Sequence, residues 1–89
     1  MYKVTKTVNG VKTIDIDLDN DKATNLFNYL KDDVNFFFRN NYDSFDTMSE
    51  YKNMYRNEEW GWDYEKYIVY NGDCRVDLLL TNLSTSSEQ

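Results

Sequence analysis

Four aspartates, Asp15, Asp17, Asp19 and Asp21, alternate with Ile14, Ile16, Leu18 and Asn20 in the stretch TIDIDLDNDK. Carboxylates at this spacing can converge on a metal ion, share a proton, or stand as a row of fixed negative charge. A calcium loop of the helix–loop–helix kind places short acids at its first, third and fifth positions, as Asp17, Asp19 and Asp21 would. The same loop needs glycine at its sixth position and a bidentate Glu at its twelfth, and here these are Lys22 and Asn28. The sharp turn and the strongest ligand are both missing, so the expectation is no metal and no cofactor.

Acid–base chemistry finds equally little. Asp32-Asp33 and Glu58-Glu59 are paired carboxylates, but the chain has no His, no nucleophile motif and no Gly-rich phosphate loop. No enzyme is expected on those grounds. Cys74, the single cysteine, excludes an internal disulfide. It reads as a small core residue beside a turn.

The third possibility is a charge row. Alternate residues of a strand lie about 6.6–6.8 Å apart, roughly two nucleotide rises of a DNA strand. Asp15, Asp17 and Asp19 on one strand face would therefore resemble a sugar-phosphate edge. A partner that holds DNA through Lys and Arg could be competed away by such a row. The plainer reading is a solvated face in which Lys3 neutralises Asp15 and Asp21 belongs to the start of a helix.

The elements that must position these residues follow from the hydrophobic pattern. Residues 2–19 read as a hairpin around Asn9-Gly10. A two-residue turn would set Val4 opposite Asp15, mixing apolar and charged residues on one face. A three-residue loop Val8-Asn9-Gly10 sets Val4 opposite Ile14, Tyr2 opposite Ile16 and Lys3 opposite Asp15. The buried face is then Tyr2, Val4, Ile14, Ile16 and Leu18. Asn20 or Asp21 can cap a helix of about five turns whose apolar stripe is Ala23, Leu26, Phe27, Leu30, Val34, Phe37 and Phe38. Tyr29, Asp32, Asp33 and Phe36 lie off that stripe.

Beyond Asn40-Asn41, the spacing Thr47-Met-Ser-Glu50 matches a capping box and predicts a second, shorter helix with Met48, Tyr51, Met54 and Tyr55 on one side. Glu58 to Asp63 reads as a connector. Tyr64–Tyr70 and Cys74–Leu83 then flank Asn71-Gly72 as a second hairpin with a two-residue turn. That turn sets Tyr67 against Val76, Val69 against Cys74 and Lys66 against Asp77. Leu78-Leu79-Leu80 predicts a central strand buried on both faces. The expected fold is α+β: two β-hairpins forming one antiparallel sheet, with one long and one short helix on one face, in the order ββααββ. One domain over residues 1–83 and a mobile polar tail over 84–89 complete the expectation.

Charge narrows the partners. Sixteen acids against ten bases give a net charge of -6, which repels nucleic acid and membrane surfaces and attracts basic proteins. Residues 1–12 hold three Lys and no acid, whereas residues 13–50 hold nine acids against three bases. No signal peptide or membrane span is read in the chain, which with the absence of a disulfide predicts a cytoplasmic location. Trp60-Gly61-Trp62 and the eight Tyr serve either as packing or as interface anchors.

Small size, acidity, a composition typical of AT-rich genomes, the lack of His and Pro, and the Asp15–Asp21 comb together resemble the small acidic proteins by which phages and mobile elements inhibit bacterial nucleases. Anti-CRISPR and anti-restriction proteins are the instances in view, some of them DNA mimics. The resemblance implies a non-catalytic inhibitor acting in the bacterial host cell, occupying a basic nucleic-acid-binding channel of a Cas effector or another nuclease. The net positive charge of residues 1–12 departs from full-surface mimicry. Candidate partner contacts are Asp15, Asp17, Asp19, Asp32, Asp33, Phe36, Asp43, Asp46, Glu50, Glu58, Glu59, Trp60 and Trp62. The alternative is an antitoxin, immunity protein or regulatory subunit recognised through exposed aromatics such as Phe36 and Trp62.

Overall fold

The computed structural model of the protein describes the backbone of residues 1–56 and 59–83 and the side chains of residues 1–52 and 64–83. Five strands and one helix follow in the order β1 (Tyr2–Val8), β2 (Val11–Leu18), α1 (Asn20–Asn41), β3 (Asp46–Arg56), β4 (Glu59–Tyr70) and β5 (Arg75–Asn82). The strands form one sheet in the order β2-β1-β5-β4-β3, antiparallel throughout. The class is α+β, as the hairpins and the amphipathic stripe predict, but with one helix among the described residues rather than two. The tail expected at 84–89 and the contact expected at Glu58 lie outside the described residues.

The first hairpin closes on the two-residue turn that side-chain parity had argued against. Asn9 and Gly10 both take positive φ, 50° and 86°, as the turn best matched to the twist of two strands requires. Parity is repaired further along. Between the pairs Thr7↔Lys12 and Lys6↔Ile14, Thr13 is an extra residue in β2, and its hydroxyl donates to the Lys6 carbonyl at 3.3 Å. This bulge shifts the later register, so Val4 faces Ile16, Tyr2 faces Leu18 and Lys3 faces Asp17. The same five residues still share one face, but Ile16, expected to be buried there, is 43% exposed because β2 is an edge strand.

The second hairpin also departs from its expected loop. Tyr70 pairs with Arg75, leaving four loop residues in place of two. The Asn71 side chain accounts for this: its carbonyl accepts from the N–H groups of Asp73 and Cys74 at 2.7 and 2.8 Å. An Asx turn of this kind outcompetes the bare Asn-Gly turn. Val69 therefore faces Val76, Tyr67 faces Leu78 and Ile68 faces Asp77. The register moves by two residues, and every side chain keeps its expected face.

The predicted short helix is strand β3, and the predicted connector is the beginning of β4. Thr47, Ser49 and Tyr51 alternate with Met48, Glu50 and Lys52, and Thr47 and Met48 pair with Val69 and Ile68, which are 0% and 2% exposed. A capping-box helix would satisfy its own backbone but leave the edge of β4 open beside two buried side chains. Pairing over eleven residues satisfies both.

The apolar stripe of α1 packs on this sheet. Ala23, Phe27, Leu30, Val34 and Phe38 are buried against Val4, Val69, Val76, Leu78 and Leu80. Leu26 is half-buried in the same cluster. Phe37, expected in the stripe, is 47% exposed. Successive helical residues are rotated by about 100°, so Phe36, Phe37 and Phe38 cannot all reach the sheet, and Phe38 takes that position. Lys31 donates to Glu65 at 3.2 Å and Tyr67 donates to Asn35 at 3.0 Å, tying the helix rim to β4. As a central strand, β5 has the place its leucines predict, with Leu78 and Leu80 buried on the helix side and Leu79 half-buried on the other.

The helix starts one residue earlier than either expected cap allows. Asp19 is the N-cap, its side chain accepting from the Lys22 N–H at 3.0 Å. Asp19→Ala should cost about 1 kcal/mol and lower the thermal midpoint by roughly 4–8 °C. Asp32→Ala, which removes an exposed carboxylate with no cap or ion-pair role, should stay within about 0.5 kcal/mol. Circular dichroism melts of both variants check this.

Candidate protein-binding surface

The fold scatters the described candidate contacts over both edge strands, the helix and its cap, the bend after the helix and β4, while Glu58 lies outside the described residues. Asp15 and Asp17 sit on edge strand β2, and the pairings Thr5↔Asp15 and Lys3↔Asp17 put them on the face opposite α1. Asp46 and Glu50 sit on the other edge strand, β3, opposite Tyr70 and Lys66. By alternation along the strand they share that same face, but three strands intervene, so about 19 Å separates the edges. Asp32, Asp33 and Phe36 lie on the outer side of α1, across the sheet from both groups. Asp43 is exposed in the bend after the helix. The side chains of Glu59, Trp60 and Trp62 lie outside the described residues; their backbone belongs to β4, paired with Arg56, Tyr55 and Asn53.

The comb does not survive as a free acidic row. Asp19 is consumed by the helix cap, which removes it from the strand face and leaves two carboxylates. Lys3 Nζ lies 3.1 Å from Asp15 and 3.6 Å from Asp17, and Lys12 Nζ lies 3.5 Å from Asp15. The positive charge of residues 1–12 is thus laid against the comb: two ammonium groups face two carboxylates. The hydrogen bond from Lys3 holds the Asp15 carboxyl below its ordinary value, and the same contact raises the Lys3 ammonium. Among the described residues no cluster of Cys, Asp or Glu is placed to hold a metal ion.

Charge is more available on the helix. Among the described residues, Asp21, Asp32, Asp33, Asp43 and Asp46 form no ion pair. Asp32 and Asp33 stand one helical turn from both Tyr29 and Phe36 on the outer surface. These aromatics are 63% and 65% exposed. Tyr29, Asp32, Asp33 and Phe36 therefore form an aromatic-acidic stripe along the middle of α1. Sequence periodicity places Phe36 off the buried stripe, and its exposure here follows that placement. Phe37 is the exposed aromatic that periodicity assigned to the buried stripe, and the rotation argument over Phe36-Phe37-Phe38 is the signal that could have found it.

Beside this stripe lies an open groove of about 530 Å³ between the C-terminal half of α1 and the turn ends of β1 and β5. Val8, Val34, Phe36, Phe37 and Val76 give it an apolar floor, and Lys6 and Asp33 supply opposite charges at its border. Cys74 also lines it, half-buried and packed against the core as its position beside a turn suggests. Asn9 fixes this end of the sheet. Its N–H donates to the Arg75 carbonyl and its side chain accepts from the Arg75 N–H, both at 2.8 Å. Burial, then the neighbouring Cys74 thiol, push the Tyr42 phenol above its ordinary value at the helix C-cap.

Comparison with protein-family models, with curated proteins and with solved structures finds no match to this chain. No helix among the described residues is long and apolar enough to cross a membrane.

The neutralised comb carries its own expectation. A carboxyl whose folded pKa lies below 3.8 adds stability above that pH and loses it as pH falls through the folded value. Lys3→Ala should return the Asp15 carboxyl toward its ordinary pKa and remove that acid-range contribution. Carboxyl carbon chemical shifts followed over an acid titration of native and Lys3→Ala chains measure it.

Proposed function

We propose that the protein is a non-catalytic inhibitor that docks on a basic, nucleic-acid-binding surface of a bacterial defence nuclease, a Cas effector foremost, inside the host cell. The observation that carries this reading is the stripe on α1, where unpaired Asp32 and Asp33 stand among exposed Tyr29 and Phe36. Burying a large apolar side chain contributes about 1.5–3 kcal/mol, so the two aromatics supply affinity. The carboxylates supply attraction and register toward Lys and Arg. The net charge of -6 steers the same encounter at long range. In this reading the helix, more than β2, does the binding, because the β2 carboxylates are already matched by Lys3 and Lys12.

Inhibition of DNA cleavage by an RNA-guided nuclease tests it. Asp32→Lys with Asp33→Lys should weaken inhibition by roughly tenfold or more and flatten its salt dependence. Reversal of Asp17, a paired residue away from the helix, should have a smaller effect. Inhibition indifferent to the helix pair would sink the proposal. If Phe36→Ala costs more than the charge reversals and salt has no influence, the aromatics dominate, as expected for an antitoxin, immunity protein or regulatory subunit.

A further inference from the structure

The two edges of the sheet differ in how they are protected. On β2 the Thr13 bulge interrupts the strand, and Lys12, Asp15 and Asp17 are locked into ion pairs around it. Bulges and charges are devices that keep an edge from pairing with another chain. β3 carries no such bulge. It runs for eleven residues without Gly or Pro, and the irregularity in its pairing with β4 falls on β4, where Asp63 is the extra residue between Tyr64 and Trp62. β3 ends the sheet order, so its outer row of backbone groups faces no strand among the described residues.

The order of residues along β3 is complementary to itself. Run antiparallel to a second copy about Tyr51, Glu50 takes the register position opposite Lys52 of the partner subunit, and Asp46 that opposite Arg56 of the partner subunit. Met48 falls opposite Met54 of the partner subunit, and the two Tyr51 residues meet on the twofold axis. Symmetry repeats each unlike pair, giving four pairs of opposite charge. Sliding the strands by two residues sets Glu50 against Glu50, or Lys52 against Lys52, according to direction. Opposite charges directly across a ladder stabilise it and like charges destabilise it, so one register is selected. Met48 and Tyr51 are 49% and 59% exposed in the single chain. Glu50 has a salt bridge with Lys66 only at 4.0 Å, with its side chain 58% exposed.

We propose that β3 is a self-association edge through which two copies pair antiparallel about Tyr51 into a continuous ten-stranded sheet. Self-complementarity of one patch is what a twofold dimer requires. α1 packs on β1, β2, β4 and β5, leaving room along β3 and placing both helices on the same face of the joined sheet. The assembly does not depend on α1 as a binding surface.

Sedimentation equilibrium of the full chain at about 100 µM, a range in which even a micromolar dimer is populated, should give twice the chain mass of 10.7 kDa. Glu50→Lys and Lys52→Glu, each alone, convert two attractive pairs into two repulsive ones. Each should weaken dimerisation roughly tenfold or more while circular dichroism shows an intact fold. Mixing the two single variants should restore a heterodimer, and the double variant carrying both changes should dimerise on its own. A native chain that stays monomeric overturns the proposal. So does a dimer whose affinity both single variants leave unchanged, or a mixture no more associated than its components.

Discussion

Among the described residues, β5 alone joins the two halves of the sheet. β1 pairs with β2 and β3 pairs with β4, but no ladder among the described residues links one hairpin to the other except through β5. Val76, Leu78 and Leu80 face α1 from the same strand, so the ladder that closes the sheet also builds its core. The helix cannot bury Phe27 and Phe38 fully until this strand is in place. Contacts of such long sequence separation are entropically costly to close, and here they join α1 to a strand more than thirty residues beyond it.

Electrostatics in the protein are arranged by face. On the open side of the sheet most acids meet bases, Asp15 and Asp17 with Lys3 and Lys12, Glu50 with Lys66 and Asp77 with Arg75, while Asp46 stays unpaired among the described residues. On the helix, Asp32 and Asp33 meet water and aromatic rings. The excess negative charge therefore has a direction that a net count conceals. Exposed ion pairs add little stability, so the chief consequence of the sheet-side lysines is to cancel the field of the acids they touch.

Much of the fold was legible because its signals are periodic. The stripe from Ala23 to Phe38 identified α1, and the alternation of Ile14, Ile16 and Leu18 identified the inner face of β2 despite the wrong turn. What the sequence concealed was set by competition. Thr47 to Glu50 satisfies a capping box locally, yet the open edge of β4 requires a strand, and tertiary pairing prevails over the local motif. Asn71-Gly72 looks like a tight turn until the Asn71 side chain captures two N–H groups. The comb misled for a similar reason. Asp15, Asp17 and Asp19 look equivalent in a repeating pattern, but one caps a helix and two are held by lysines whose places depend on register. Asp32, Asp33 and Phe36 were legible as an exposed face because they lie well away from the apolar stripe, whereas Phe37, at its margin, was not.

The beginning of β1 and the end of β5 are held together, with the Leu83 N–H donating to the Met1 carbonyl at 3.0 Å. Over the described residues the chain thus returns to its start, with Leu83 beside Met1. That closure lies at the end of the sheet remote from the Asn9 turn, and therefore from Phe36, Phe37 and the groove beside them. A fluorophore or affinity handle attached at Met1 leaves the molecule there, so the aromatic end of α1 can be presented on a surface without passing near its own tether.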